Sequence, residues 1–487
     1  MKYRVLLFLF SVCFGLKINS QSLLYQSGDK IESHDESINL YALDSLYLYA
    51  LREHNYYLDV YQRLTLKREV LIKIPLPSHD LIKYSLENLF IRNDTFQIFY
   101  SYYDKVNLSR KLEMITFNRL GEKIGDTKLI DSSDGKNKKK AGSFSVLNRK
   151  KKNEFLSYGY KEIKDTVYIN IDHFDYSGNK TGSQNFAVNY DNTVHSFFDV
   201  NCNLYHLAVS ENDHSNWRII YYPTDKNDPV ILNLPQLSSD KFYLSPFYKT
   251  FTDAKTYISF FAPYKLKRNS NTADGFYIIR INIENHSLIS ENVIPFKASE
   301  ASRHGKSDLT LSSCIPVDVM QMNKNDLRII FESRLQTTTS MYGLPVAEEF
   351  DMGNIITIDL DSNNVITEIH KIRKQQHSDE SELYTGFVTL NHKNANYFIY
   401  NELAENLERT PDDFKMLNVS RIDKAKIIYT FVDSGKVKRK ILVDRPPGSP
   451  VDAILPNASL HAYDKSEIYL LRKIGKDVFL TKVFIED

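Results

Sequence analysis

IITIDLDSNNV (355–365) and IIYTFVDSGKV (427–437) are two versions of one phrase: an apolar alternating run, a turn rich in Asp, Asn, Ser and Gly, and a returning polar strand. ITFNRLGEKIG (115–125) and IDHFDYSGNKTG (171–182) have the same form. Alternation is the strand period, and Asp, Asn and Gly tolerate positive φ and bond to their own backbone, so each phrase reads as a hairpin. A calcium loop is the competing reading. Asp359, Asp361 and Asn363 begin its alternating oxygen series, but Asn364 stands where that loop needs Gly and His370 where it needs a closing carboxylate. A phosphate cradle also fails, because the glycines are single and no helix follows them.

Weaker hairpins near Asp225–Asp228 and Glu284–Ser287 fill the widest gap between the phrases, so the repeat averages about sixty residues. Between the turns lie runs such as FQIFYSYY (96–103), TYISFFAPY (256–264), GFYIIRINI (275–283) and ANYFIYNE (395–402), with no sustained helical period. The chain holds 32 Tyr and 28 Phe, residues that favour strands. Helix is expected only in short pieces such as Ala404 to Leu407.

The expected fold is therefore all-β: a β-propeller of seven or eight four-stranded blades. The blade segments are 38–75, 86–130, 143–190, 195–235, 246–297, 313–374 and 383–443. Residues 455–487 supply three further strands, and SLLYQSGDKI (22–31) supplies a fourth, so that N- and C-terminal strands close the ring. A β-sandwich pair would not repeat at this period, and a solenoid would have shorter, more uniform coils.

Lys2, Arg4 and the apolar run Leu6 to Leu16, followed by small Ser20, read as a secretory signal peptide over 1–20, with one propeller domain over 21–487. Beyond it no apolar run is long enough for a membrane-spanning helix. The expected setting is exported: periplasm, outer envelope or extracellular space. With 62 basic and 61 acidic residues there is no global field to draw nucleic acid. Cys202 and Cys314 fall in different blades toward opposite faces and are expected to be buried free thiols.

In three successive blades the connection between second and third strands swells: LKRNSNTAD (266–274), ESRLQTTTSMYGLPVAEEFDMG (332–353) and NELAENLERTPDDFKMLNVS (401–420). Long irregular loops on a rigid scaffold commonly carry function. The candidate ligand-binding residues there are Lys265, Lys267, Arg268, Arg334, Tyr342, Glu348, Glu349, Asp351, Glu402, Glu405 and Arg409. They suit a protein or glycan partner; solvated decoration of long loops is the plainer alternative. A hydrolase would draw on Glu332, Glu348, Glu349 and Asp351, yet with so many acids in the chain no specific pair can be defended. An envelope-assembly component is the third reading.

Other constellations carry less. His195, Cys202, His206 and His214 are close in sequence but point in different directions on the expected strands, against a zinc site. No Ser nucleophile elbow, HExxH or CxxC occurs, and nothing calls for a metal or cofactor. The basic residues of KNKKKAGSFSVLNRKKK (136–152) are split by a first strand and fall on opposite faces; Lys136, Lys138, Lys139 and Lys140 form either a modest anion patch or ordinary solvated charge. The export signal, the Lys-, Asn- and Ile-rich composition and phrases such as GNIITIDLDSNNVITEIHKI (353–372) resemble secreted propeller-like proteins of Bacteroidota. That resemblance implies the fold and carries no functional residue with it.

Overall fold

Apolar runs that fill whole strands cannot be satisfied by one buried face, and the structure shows how they are covered. The computed structural model describes the chain from Leu23 to Ile485 apart from short internal stretches, the longest being 296–313. Strand pairing resolves into eight sheets. Blade one runs from Ile38–Leu43 to Arg68–Lys73, blade two from Ser85–Arg92 to Lys128–Asp134, and blade three from Ser143–Arg149 to Lys180–Asn189. Blade four runs from Asn192–Phe198 to Val230–Asn233, and blade five from Tyr243–Leu244 to Leu288–Pro295. Blade six runs from Cys314–Gln321 to Ile366–Ile372, and blade seven from Val388–His392 to Lys436–Val443. Blade eight is made of Asp452–His461, Glu467–Ile474 and Asp477–Ile485, completed by Leu23–Ile31 in antiparallel register with the last of these, Leu23 against Ile485 and Ile31 against Val478. The count is eight, and the chain's two ends close the ring in one sheet. The proposed leader falls outside the described residues.

Burial falls across each blade as a propeller requires. Second strands such as Leu204–Val209 and Tyr257–Lys265 are buried almost throughout, which is why their sequences read as continuous apolar runs. Fourth strands such as Arg68–Lys73 and Lys128–Asp134 expose alternate residues. First strands of neighbouring blades lie against one another, as Ile38–Leu43 does with Asp452–His461 and Lys249–Thr252 with Cys314–Gln321. They line the axis.

Between blades the apolar faces meet in a cyclic series of clusters. Tyr49, Leu58, Phe96 and Phe117 join blades one and two; Phe99, Leu112, Phe155 and Phe174 join two and three. The series continues through Tyr222, Trp217, Phe331, Tyr400 and Leu470 to Leu48, Tyr61, Tyr469 and Leu480, which join blade eight back to blade one. Each fully buried large side chain contributes roughly 1.5–3 kcal/mol, so the ring is held by its radial interfaces.

The repeated turn phrase is a backbone device. The Asp361 carboxylate accepts from the N–H groups of Asn363 (2.8 Å) and Val365 (2.9 Å), with Asn364 at φ +62°. Asn118, Asp175 and Asn282 do the same in blades two, three and five. Ser434 and Gly435 of the sister phrase lie outside the described residues. The expected short helix is present as a 3₁₀ turn at Ala404–Leu407. Cys202 and Cys314 are buried free thiols, their pKa values pushed up by burial to about 11 and about 12.

One expectation is corrected. The swollen connection of blade six is no loop: Leu327–Met341 and Leu344–Leu360 continue as a single antiparallel hairpin far beyond the blade, with Thr337 opposite Glu349 and Thr339 opposite Ala347. The threonine run supplies β-branched residues, and a bulge between Glu332 and Arg334 redirects the hairpin as it leaves the core.

Candidate functional site

The hairpin of blade six does not stand alone. The short strand Gln376–Ser378, on the way to blade seven, pairs with it through Asp351↔His377 and Met352↔Gln376. Its other edge pairs in parallel with Leu417–Asn418 of blade seven's long connection. Two of the three swollen connections are thus hydrogen-bonded into one platform. The third, in blade five, folds back on itself: Asp274 accepts from Leu266 N–H at 2.7 Å and Lys265 Nζ donates to the Ser270 carbonyl.

Beside the platform, at the axial side of the same face, is a cavity of about 360 Å³. Four blades supply it: Tyr248 and Lys249 from blade five, Pro316, Glu332, Arg334 and Met352 from blade six, Thr385 and Gly386 ahead of blade seven, and Asn457 from blade eight. It lies where the first strands begin and the second strands end, so backbone from several blades converges on it.

A buried polar chain backs this cavity. Lys374, fully buried, donates to Glu332 Oε1 at 2.5 Å and to Gln376 Oε1 at 2.9 Å. Gln376 also receives Gly386 N–H (2.8 Å) and donates to the Asn401 carbonyl (2.8 Å). Asn401 in turn exchanges bonds with Ile454 of blade eight, at 2.9 and 3.0 Å. Glu332, the only carboxylate among the described lining residues, is therefore neutralised from behind by Lys374. Lys249 and Arg334 are the cations among the described lining residues.

Of the eleven residues singled out from the sequence, Arg334 alone among the described side chains lines this cavity. Its guanidinium sits 5.9 Å from the Phe350 ring. Lys267, Arg268 and Glu349 are exposed on the same face, and Lys265 is half-buried. Asp351 pairs with His377 at 2.7 Å. Glu405 pairs with Arg409 (2.9 Å) and Lys415 (2.8 Å). Glu402 is turned inward, accepting from Leu403 N–H and Asn406 Nδ2; burial pushes its carboxyl up to about 7. Tyr342 and the side chain of Glu348 lie outside the described residues.

The remaining constellations are structural. His195, within the first strand of blade four, packs on Tyr248 and Phe260 of blade five, whereas His206 faces Tyr160 of blade three, so the two imidazoles occupy opposite faces of blade four. Burial pushes both down to about 4 and keeps them neutral. His214 lies outside the described residues. Asp359, Glu368 and His370 hold ligand-capable atoms within 4.8 Å of one another, but Asp359 gives both oxygens to Arg328 at 2.6 Å and Glu368 pairs with His370 at 3.1 Å. That cluster is an ion-pair network on the outer strands of blade six. Lys150–Lys152 form a 3₁₀ turn on the face opposite Lys136, Lys138, Lys139 and Lys140, all four of which are exposed.

Among the described residues no helix is long and apolar enough to cross a membrane. No protein-family model and no curated protein matches the chain. Solved structures share a low-level likeness. The Dos1 propeller is 9% identical over 80% of this chain and 88% of its own, with a TM-score of 0.30. A protein of unknown function from Bacteroides caccae is 8% identical over 69% and 93%, with a TM-score of 0.26. Hsv2 of Kluyveromyces marxianus is 11% identical over 68% and 84%, with a TM-score of 0.32. The eight-bladed ring rests on the strand pairing described above, independently of these likenesses.

Proposed function

We propose that this chain is an exported, non-enzymatic propeller that holds a protein or glycan partner through the face carrying its long connections. The axial cavity would take a negatively charged group of that partner. The observation that carries this reading is the cavity itself: about 360 Å³, within the range of small-ligand sites, on the expected face, with Lys249 in its lining and Glu332, the one carboxylate among its described lining residues, ion-paired to a buried lysine. A lined, stiff concavity lowers the entropy lost on binding. The paired state of Glu332 and Asp351 also favours binding over hydrolysis, because each is committed to a protein cation or imidazole.

The test is capture from source-cell envelope and medium with the chain from Gln21 onward, followed by mass spectrometry of bound protein and glycan. The Lys249→Glu, Arg334→Glu double variant and a variant with residues 336–349 replaced by a two-residue turn serve as comparisons. A stoichiometric partner held by the native chain and lost from the charge-reversed one is expected. A partner held equally by both sinks the axial site, and turnover of a captured glycan sinks the non-enzymatic reading.

A further inference from the structure

A second hollow of about 360 Å³ lies between blades two and three, on the same face as the axial cavity but away from the axis. Its floor is the sheet of blade three. Cross-strand register places Phe144, Gly159, Asn170 and Asn185 in one row, and Lys161, Tyr168 and Ala187 in the next toward the rim. Its far wall is the outer strand of blade two, at Asp131, Ser132 and Ser133.

Gly159 makes this space. It stands mid-strand between Phe144 and Asn170, where a side chain would ordinarily fill the row. Its φ is not in the left-handed region, and a Cβ placed on it would sit at ordinary contact, 3.6 Å from Asn170 Cβ and from Phe144. Neither backbone conformation nor crowding demands glycine here, although glycine weakens a strand interior. What it preserves is the hollow.

We propose that this groove is a binding site for a neutral oligosaccharide, with Tyr168 as an apolar platform and Asn170, Asn185, Asp131 and the two serines bonding to its hydroxyls. Among the described residues most tyrosines are buried, whereas Tyr168 in the groove is 44% exposed. An aromatic ring beside amide and carboxylate groups matches a sugar, which offers an apolar C–H face and hydroxyls that both donate and accept. Charge selects the neutral class. Asp131 and Lys161 bring opposite charges to the groove, Lys161 donating to the Asp134 carbonyl, and Asp172, one row deeper on the floor, is held by Lys180 at 2.6 Å and Ser183 at 2.6 Å. The floor is a sheet face, which offers side chains and no backbone edge; the far wall is an outer strand, and the peptide probe tests pairing there. This site goes beyond the axial reading and stands or falls without it.

The probes are linear β-1,4-linked oligomers of glucose, mannose and N-acetylglucosamine, titrated by calorimetry against the full chain, with a uronic-acid oligomer and an unrelated peptide alongside. At least one neutral oligomer is expected to saturate, and Tyr168→Ala is expected to weaken it by roughly tenfold. Gly159→Leu, which fills the groove, is expected to abolish it, while Lys249→Glu leaves it unchanged. Asn185→Ala, at an exposed site, covers the case in which Gly159→Leu perturbs the sheet, and thermal unfolding of each variant reports that case. No saturable neutral binding, binding indifferent to Tyr168 and Asn185, or binding lost only with Lys249→Glu overturns the site. So does preferential binding of the peptide or the uronic-acid oligomer.

Discussion

The axial cavity and the groove between blades two and three have the same volume and open on the same face, yet they are made in opposite ways. The first is assembled from the ends of strands in four blades and is locked by the buried chain Glu332–Lys374–Gln376–Asn401. The second is a place on one sheet where a side chain is missing. A site shared among blades depends on the closure of the ring; a site within one blade depends only on its own register and one neighbour. The two should therefore respond differently to substitution, and their linings, with Lys249 at the axis and the opposite charges of Asp131 and Lys161 in the groove, should sort ligands between them.

The largest effect is expected at Lys374. Lys374→Met removes the partner of a buried carboxylate and leaves Gln376 short of a donor, which should cost roughly 3–5 kcal/mol in denaturant unfolding. The double variant Glu332→Gln, Lys374→Met should recover much of that loss, because breaking a buried pair is worse than replacing both members. If the single variant is as stable as the native chain, the axial framework does not hold the face together and the contrast drawn here collapses. Tyr168→Ala and Asn185→Ala, at exposed groove positions, should leave this unfolding transition almost where it was.

A smaller effect separates the regions by pH. Burial, then the nearby Asp172 carboxylate, push Asp131 up to about 6, against an unfolded value near 4. The folded state thus holds a proton that the unfolded chain has lost, and stability falls as pH rises from about 4 to about 6, then levels. Glu402, pushed up to about 7 chiefly by burial, extends the same downward trend by a further unit. Asp131→Asn should remove the first part of the slope and stabilise the protein above pH 6 by on the order of 2 kcal/mol. Glu402→Gln should remove the part that reaches pH 7. Urea unfolding of both variants at pH 4.5, 6 and 8 checks the pair, and parallel curves for native and variant chains would show that neither carboxyl carries its proton into the fold.

These differences also explain what could be read in advance. The blades were legible because twisted four-stranded sheets packed face to face impose a period, and the turn residues Asn118, Asp175 and Asp361 mark it in the sequence. The face with the long connections was legible from loop length alone. The hairpin of blade six was not, because its sequence, LQTTTSM and LPVAEEF, lacks the apolar alternation of the blade strands; the threonines were its one signal. Lys374 sits in KIRKQQ, which reads as solvated charge until Glu332, far away in sequence, is brought beside it. The groove had no local signature beyond a glycine within a strand, since cross-strand rows depend on register that a linear sequence does not display.

The smallest effect concerns two of the residues singled out from the sequence, Glu405 and Arg409. Glu405, Arg409 and Lys415 form an exposed cluster in the connection of blade seven, with distances of 2.8–2.9 Å that would suggest strong pairs. In water such pairs are screened, and each long side chain loses rotamer freedom to meet its partner. Glu405→Ala should leave the unfolding midpoint, and ligand binding at both hollows, unchanged within error. A clear loss of captured partner in that variant, with stability intact, would move the binding surface outward from the axial cavity onto the platform beside it, and Lys249 and Arg334 would then be its edge and not its centre.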